Sequence, residues 1–143
     1  MKKLIFLAFL FVFVVAEADD IENHDFLYDY LVGNYIVFGK GLNNGPLYSG
    51  NVVFERKENH LQITRMIDNQ RIVGVGYIEH IAAEPQTNVL RIRFEQDGKH
   101  LEATYLWQSD LDNYARLTGY IYQPDTKTTV PGMEALFVNP VEN

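Results

Sequence analysis

The sequence predicts an all-β domain: an eight-stranded antiparallel up-and-down barrel preceded by a short N-terminal helix. Three observations predict it. After Gly33, strand-like runs recur at about 34–39, 47–56, 60–67, 71–80, 88–96, 100–109, 114–122 and 132–138, with no second helical stretch. Most links between the runs are too short for the crossover that parallel strands need, so neighbours in sequence should pair antiparallel. Within the runs, apolar and polar residues alternate, which is the period of a strand with one wet face. Such strands can stack as a sandwich or close as a barrel. A simple meander closes most easily, and closure removes both sheet edges.

The first eighteen residues, MKKLIFLAFLFVFVVAEA, stand apart from this domain. Lys2 and Lys3 make a basic start, Leu4 to Ala16 is an apolar run of thirteen, and Ala16-Glu17-Ala18 fits small-x-small cleavage. This is the layout of a secretory signal peptide cleaved after Ala18. Thirteen helical residues reach about 20 Å, short of the roughly 30 Å of hydrocarbon that a spanning helix must cross. The expectation is a secreted or periplasmic protein with no membrane insertion after cleavage. The remaining 125 residues make one domain, residues 19–33 being the helix and 34–143 the barrel.

Charge and cysteine narrow the function classes. Without Lys2, Lys3 and Glu17 the chain keeps ten basic and eighteen acidic residues, a net charge of −8. Such a surface repels phosphate backbones, so no nucleic-acid partner is expected. The chain contains no cysteine, which excludes disulfides, thiolate metal sites and a cysteine nucleophile. With the Lys-Lys start, the missing cysteines favour a periplasm.

The elements follow in chain order. Within 19–33, Ile21, Phe26, Leu27, Tyr30 and Leu31 fall near one helical face, acidic residues gather at the start, and Gly33-Asn34 provides the stop. On the strands, Tyr35, Val37 and Gly39, then Tyr48, Gly50, Val52 and Phe54, then Leu61, Ile63 and Ile67 form inward sets. Ile72, Gly74, Gly76 and Ile78 continue the pattern. Leu90, Ile92 and Phe94 alternate with Arg91, Arg93 and Glu95, and Leu101, Ala103, Tyr105 and Trp107 with Glu102, Thr104 and Gln108. Asp97-Gly98 is the clearest turn, because a two-residue type I′ hairpin needs positive φ at both places.

Gly74-x-Gly76 is not a phosphate loop. A dinucleotide fingerprint needs a third glycine at the opening of a helix, where this chain has Glu79 in a continuing strand. Gly39, Gly50, Gly74, Gly76 and Gly119 all face inward by parity. A strand glycine costs roughly 0.5–1 kcal/mol relative to alanine, so the repetition needs a reason. Either the strands kink to close a small barrel, or absent side chains leave room for a ligand.

With Gly33-Asn34-Tyr35 opening the first strand, Tyr48-Ser49-Gly50 in the second, Gly74-x-Gly76 in the fourth and Leu117-Thr118-Gly119 in the seventh, the pattern over about 33–138 resembles the calycin group. That group holds the small up-and-down barrels, among them lipocalins and avidin-type proteins. Gly33-Asn34-Tyr35 is similar to their Gly-x-Trp start, with tyrosine in the tryptophan place. The compact hairpins look more like the avidin type. The resemblance implies a binding barrel and no particular ligand.

The site residues expected are therefore those of a barrel interior. Tyr35, Tyr48, Leu61, Ile63, Gly74, Gly76, Tyr105, Trp107 and Leu117 would line a pocket for a small, largely apolar ligand. Arg65 shares the parity of Leu61, Ile63 and Ile67, and a buried guanidinium is costly unless paired. Glu134, in line with Leu136 and Val138, is its candidate partner; a ligand carboxylate is the alternative. On the outer face of strand seven, Tyr114, Arg116, Tyr120 and Tyr122 are residue types that protein interfaces favour, and equally what β-propensity supplies. They carry the second reading, a protein-interaction or inhibitor module. His24, His60, His80 and His100 lack metal-ligand spacing. Asp110, Asp112 and Asn113 lack the glycine and glutamate of a calcium loop. No metal, cofactor or catalytic group is expected.

Overall fold

The computed structural model describes residues 20–81, 84–109 and 115–139, with the backbone alone at 20–24, 84–86 and 109. The expected signal peptide, residues 1–18, lies outside the described residues. A helix, α1 (Asp20–Leu31), precedes eight strands: β1 (Gly33–Lys40), β2 (Leu47–Arg56), β3 (Leu61–Ile67), β4 (Gln70–Ile81), β5 (Glu84–Gln96), β6 (Lys99–Ser109), β7 (Ala115–Tyr122) and β8 (Gly132–Val138). Each pairs antiparallel with its sequence neighbour, and β8 returns to β1 to close the barrel. The predicted fold class is the observed one.

Two boundaries differ from the sequence reading. Gly33 opens β1 instead of ending the helix, at φ +153°, a backbone conformation that L side chains rarely adopt. Residues 84–87, expected in a connection, belong to β5: a register shift between His80 and Ile81 lets Ile81 pair with Glu84 while His80 pairs with Asn88. A bulge of this kind extends a strand past the point where its alternation breaks down. The hairpin at Asp97-Gly98 has the expected positive φ at both residues, 51° and 70°. Asp68 and Asn69 repeat it at 50° and 61°, so Gln70 pairs with Ile67 and the turn is one residue tighter than the Asp68-Asn69-Gln70 link expected.

The up-and-down order sends the β1–β2, β3–β4, β5–β6 and β7–β8 connections to one end and α1 to the other. Helix α1 seals its end through Tyr28 and Leu31, which are buried with Tyr35, Phe54 and Leu61 in one core. The Tyr35 and Phe54 ring centroids lie 4.8 Å apart. Helix ends leave carbonyls without partners, and Tyr35 Oη donates to the Leu31 carbonyl at 2.8 Å. The Ile78 amide, beyond the last β3–β4 pair at Leu61–Gly76, donates to Tyr28 Oη at 3.1 Å. Arg56 holds the helix from outside, ion-paired to Asp25 and stacked 4.4 Å above the Tyr28 ring.

The glycine question has a structural answer. A Cβ on Gly119 would overlap the Thr104 carbonyl oxygen and lie 2.7 Å from Tyr105 Cδ1, and one on Gly39 would overlap the Tyr48 ring. The glycines thus permit close strand approach and make room for neighbouring tyrosines. They do not leave the interior hollow.

Candidate functional site at the barrel mouth

The four connections at the end opposite α1 surround a cavity of about 480 Å³. Apolar Leu42, Ile67, Leu101 and Ile121 line it together with Asp68, Gln96, Lys99 and Gln123, and Tyr48 belongs to its wall. The β1–β2 connection carries a short 3₁₀ turn, Leu42–Asn44, with Asn43 and Asn44 both near φ 56–57°, a conformation that asparagine tolerates. Its Asn43 amide donates to the Val130 carbonyl at 2.9 Å, joining the first and last mouth connections.

Tyr48 also belongs to a buried charged cluster. Glu134, on β8, accepts from Tyr48 Oη at 2.5 Å, from Arg65 Nη1 at 3.1 Å and from Arg65 Nη2 and Tyr105 Oη. Arg65 and Glu134 are 1% and 4% exposed, so the pair is fully desolvated. The Arg65 guanidinium lies 4.8 Å from the Phe94 ring centroid, and its Nε has no hydrogen-bond partner among the described residues. Burial alone would push the Glu134 carboxyl upward, but the Arg65 charge and the bonds from Arg65, Tyr105 and Tyr48 hold it below the ordinary value. Burial and the Glu134 charge push the Tyr48 and Tyr105 phenols up, so both stay neutral donors.

Glu134 binds its proton less readily folded than unfolded, so its contribution is complete above the unfolded carboxylate pKa, about 4.3, and is lost as pH falls through the lower folded value. Thermal unfolding from pH 6 to 2 is expected to show a steep loss of melting temperature below about pH 4. In Glu134→Gln the melting temperature should start lower and fall less steeply over that range. A parallel shift of the two curves would deny the assignment.

Of the residues expected to line a pocket, Tyr48 lines the mouth cavity and the others do not. Leu61, Ile63, Tyr105 and Leu117 are fully enclosed, Gly74 and Gly76 are buried beside them, and Tyr35 sits at the helix end. Trp107 is half-buried near the same sealed end. Arg65 directs both Nη atoms at Glu134, so a ligand carboxylate would have to displace that residue. Parity states which way a side chain points and not whether another fills the space before it.

The outer stripe of β7 is divided. Tyr114 lies outside the described residues. Arg116 and Tyr120 are exposed, and the Arg116 guanidinium lies 5.7 Å from the Phe137 ring centroid. Tyr122 is half-buried and donates to Glu102 Oε1 at 2.5 Å. Glu102 and Glu79 in turn bind Arg91 and Arg93 on the outer face of β4–β6.

The mouth residues Leu42, Asp68, Gln96, Lys99 and Gln123 went unread in the sequence because they sit at turns and strand ends. Topology was the available signal: in a meander, alternate connections must share an end. Among the described residues, no group of three or more His, Asp or Glu could hold a metal ion. Fold and site together define a closed barrel with one sealed and one open end. No protein-family model matches this chain, and no curated protein sequence matches it either.

Proposed function

We propose that this protein is an exported barrel that binds one small molecule at its mouth and performs no catalysis. The observation that carries the reading is the 480 Å³ cavity sharing Tyr48 with the buried Arg65–Glu134 pair. Ligand pockets of this order combine apolar walls with a few fixed polar groups. Here Leu42, Ile67, Leu101 and Ile121 suit an apolar body, and Tyr48, Gln96, Lys99 and Gln123 suit a polar edge. The rigid floor keeps Tyr48 oriented, which lowers the ordering cost of binding. Export is supported by the three-part layout of residues 1–18.

The test uses the neutral fluorescent probe N-phenyl-1-naphthylamine. The protein should bind about one equivalent, and Leu42→Trp, which fills the half-buried mouth wall, should weaken binding at least tenfold. Native mass spectrometry of protein from its own host should show a retained small molecule that the probe displaces. Failure of the wild-type chain to bind, or equal binding by the variant, would remove the mouth from consideration.

A second reading, a protein-interaction module, has its own observation. Phe38, Tyr120, Met133 and Phe137 stand exposed on one outer face.

A further inference from the structure

We propose that the mouth ligand enters with an uncharged carbonyl leading, and that this oxygen accepts a hydrogen bond from Arg65 Nε; the inference rests on the mouth being a small-molecule site. Among the described residues Nε has no hydrogen-bond partner, although Arg65 is 1% exposed. Buried donors are nearly always met, so an exception asks for an acceptor. The other guanidinium nitrogens are engaged. Nη2 donates to Glu134 Oε1, and Nη1 donates to Glu134 Oε2 and, at 3.4 Å, to Tyr105 Oη. A guanidinium gripped through both Nη atoms keeps its Nε–H on a separate edge, where the same carboxylate cannot meet it. That donor lies one layer below the mouth. Arg65 precedes the mouth residue Ile67 by two places on the inward face of β3. Phe94, whose ring centroid is 4.8 Å from the guanidinium, pairs with the mouth residue Leu101. Ile67, Phe94 and Leu101 are 5%, 6% and 8% exposed, whereas Leu61 and Ile63, nearer the sealed end of β3, are fully enclosed. The cover on the mouth side is thus one side chain thick, and a group pressed between these side chains reaches Nε.

The surroundings select the chemical class. A ligand carboxylate would bring a second anion beside Glu134, which already takes up the one positive charge of Arg65, and a buried charge without a partner is costly. A hydroxyl would bring a hydrogen that needs an acceptor of its own. Each Glu134 oxygen already accepts two bonds, Oε1 from Tyr48 and Arg65, and Oε2 from Arg65 and Tyr105. A carbonyl oxygen only accepts, so it meets Nε and leaves nothing unmet. The apolar side chains of Ile67, Phe94 and Leu101 then enclose its carbon flanks. The class is a neutral ketone or ester on an apolar skeleton. A ligand of the same shape without the oxygen leaves the donor unmet and binds more weakly.

A matched pair of fluorescent probes tests it: 6-propionyl-2-(dimethylamino)naphthalene, which carries one carbonyl, and 2-(dimethylamino)-6-propylnaphthalene, which has a methylene in its place. The wild-type chain should bind the propionyl compound at least about tenfold more tightly than the more apolar propyl compound. The carbonyl stretch of the bound probe should fall to lower wavenumber, as it does on accepting a hydrogen bond. Arg65→Lys keeps a positive charge toward Glu134 and puts a methylene where Nε stands, so it should bind the two probes alike. Arg65→Met/Glu134→Leu serves if that variant fails to fold, with the same expectation. A wild-type chain that binds N-phenyl-1-naphthylamine but does not prefer the propionyl probe overturns this inference and leaves the mouth reading in place. A preference that survives in Arg65→Lys overturns it too, because another donor of the mouth then meets the carbonyl. If wild type binds none of the three probes, the mouth reading falls and this inference with it.

Discussion

Arg65→Ala is expected to lower unfolding stability by about 3–5 kcal/mol, because it strands the Glu134 carboxylate in the barrel interior. That is a large share of the roughly 5–15 kcal/mol available to a domain of this kind. The loss has two parts. Glu134 forfeits its charge partner and two hydrogen bonds while remaining buried, and the Tyr48 and Tyr105 hydroxyls are left to solvate a lone anion. The size of the effect therefore reflects an unpaired charge and is no measure of the pair's net worth. The double variant Arg65→Met/Glu134→Leu separates the two. With both charges gone, most of the loss should return, as a buried pair and an apolar pair of similar volume are often close in energy. Urea unfolding of wild type, single and double variants completes the cycle. If Arg65→Ala unfolds at the wild-type midpoint, the guanidinium is not held as described.

Gly119→Ala should be the second large effect, about 1–3 kcal/mol or more, although it adds one methyl group. The new Cβ would overlap the Thr104 carbonyl oxygen, a backbone atom that moves only with its strand, and press on the Tyr105 ring that bonds Glu134. Gly76→Ala makes the contrast. Its Cβ would lie 3.2 Å from Leu90 Cδ1 and 3.4 Å from Ile63 Cδ1, the ends of flexible side chains. There the gain in strand preference, roughly 0.5–1 kcal/mol, offsets most of the crowding. Both glycines occupy inward positions of a strand, so the neighbouring atom and how closely it approaches distinguish them. Chemical denaturation of the two variants should give losses of unfolding free energy on clearly different sides of about 1 kcal/mol. Equal costs would mean that close strand approach does not explain Gly119.

Much of this was legible without coordinates. The alternation in Leu90 to Glu95 and Leu101 to Gln108 placed two strands and their faces. Asp97-Gly98 set a register, since its two-residue turn leaves one way to align Gln96 with Lys99. Parity even turned Arg65 and Glu134 inward, and the desolvation cost of an unpaired guanidinium made them partners. Residues 84–87 carry no strand signal of their own, because the register shift beside them breaks the alternation that such a signal needs.

What the sequence by itself determined is the set of local decisions: a helix, eight strands, their inward faces, antiparallel order, and an arginine in need of an acid. Each rests on forces between residues close in the chain, or on a burial cost that any fold must meet. Only the tertiary structure decided what fills the interior. Whether Gly39 and Gly119 open a hollow depends on where the Tyr48 and Tyr105 rings lie, and those rings come from other strands. The mouth cavity likewise exists because closure gathers turns scattered from Gly41 to Gln123 at one end. Space left between elements belongs to their packing, and no single stretch of chain contains it.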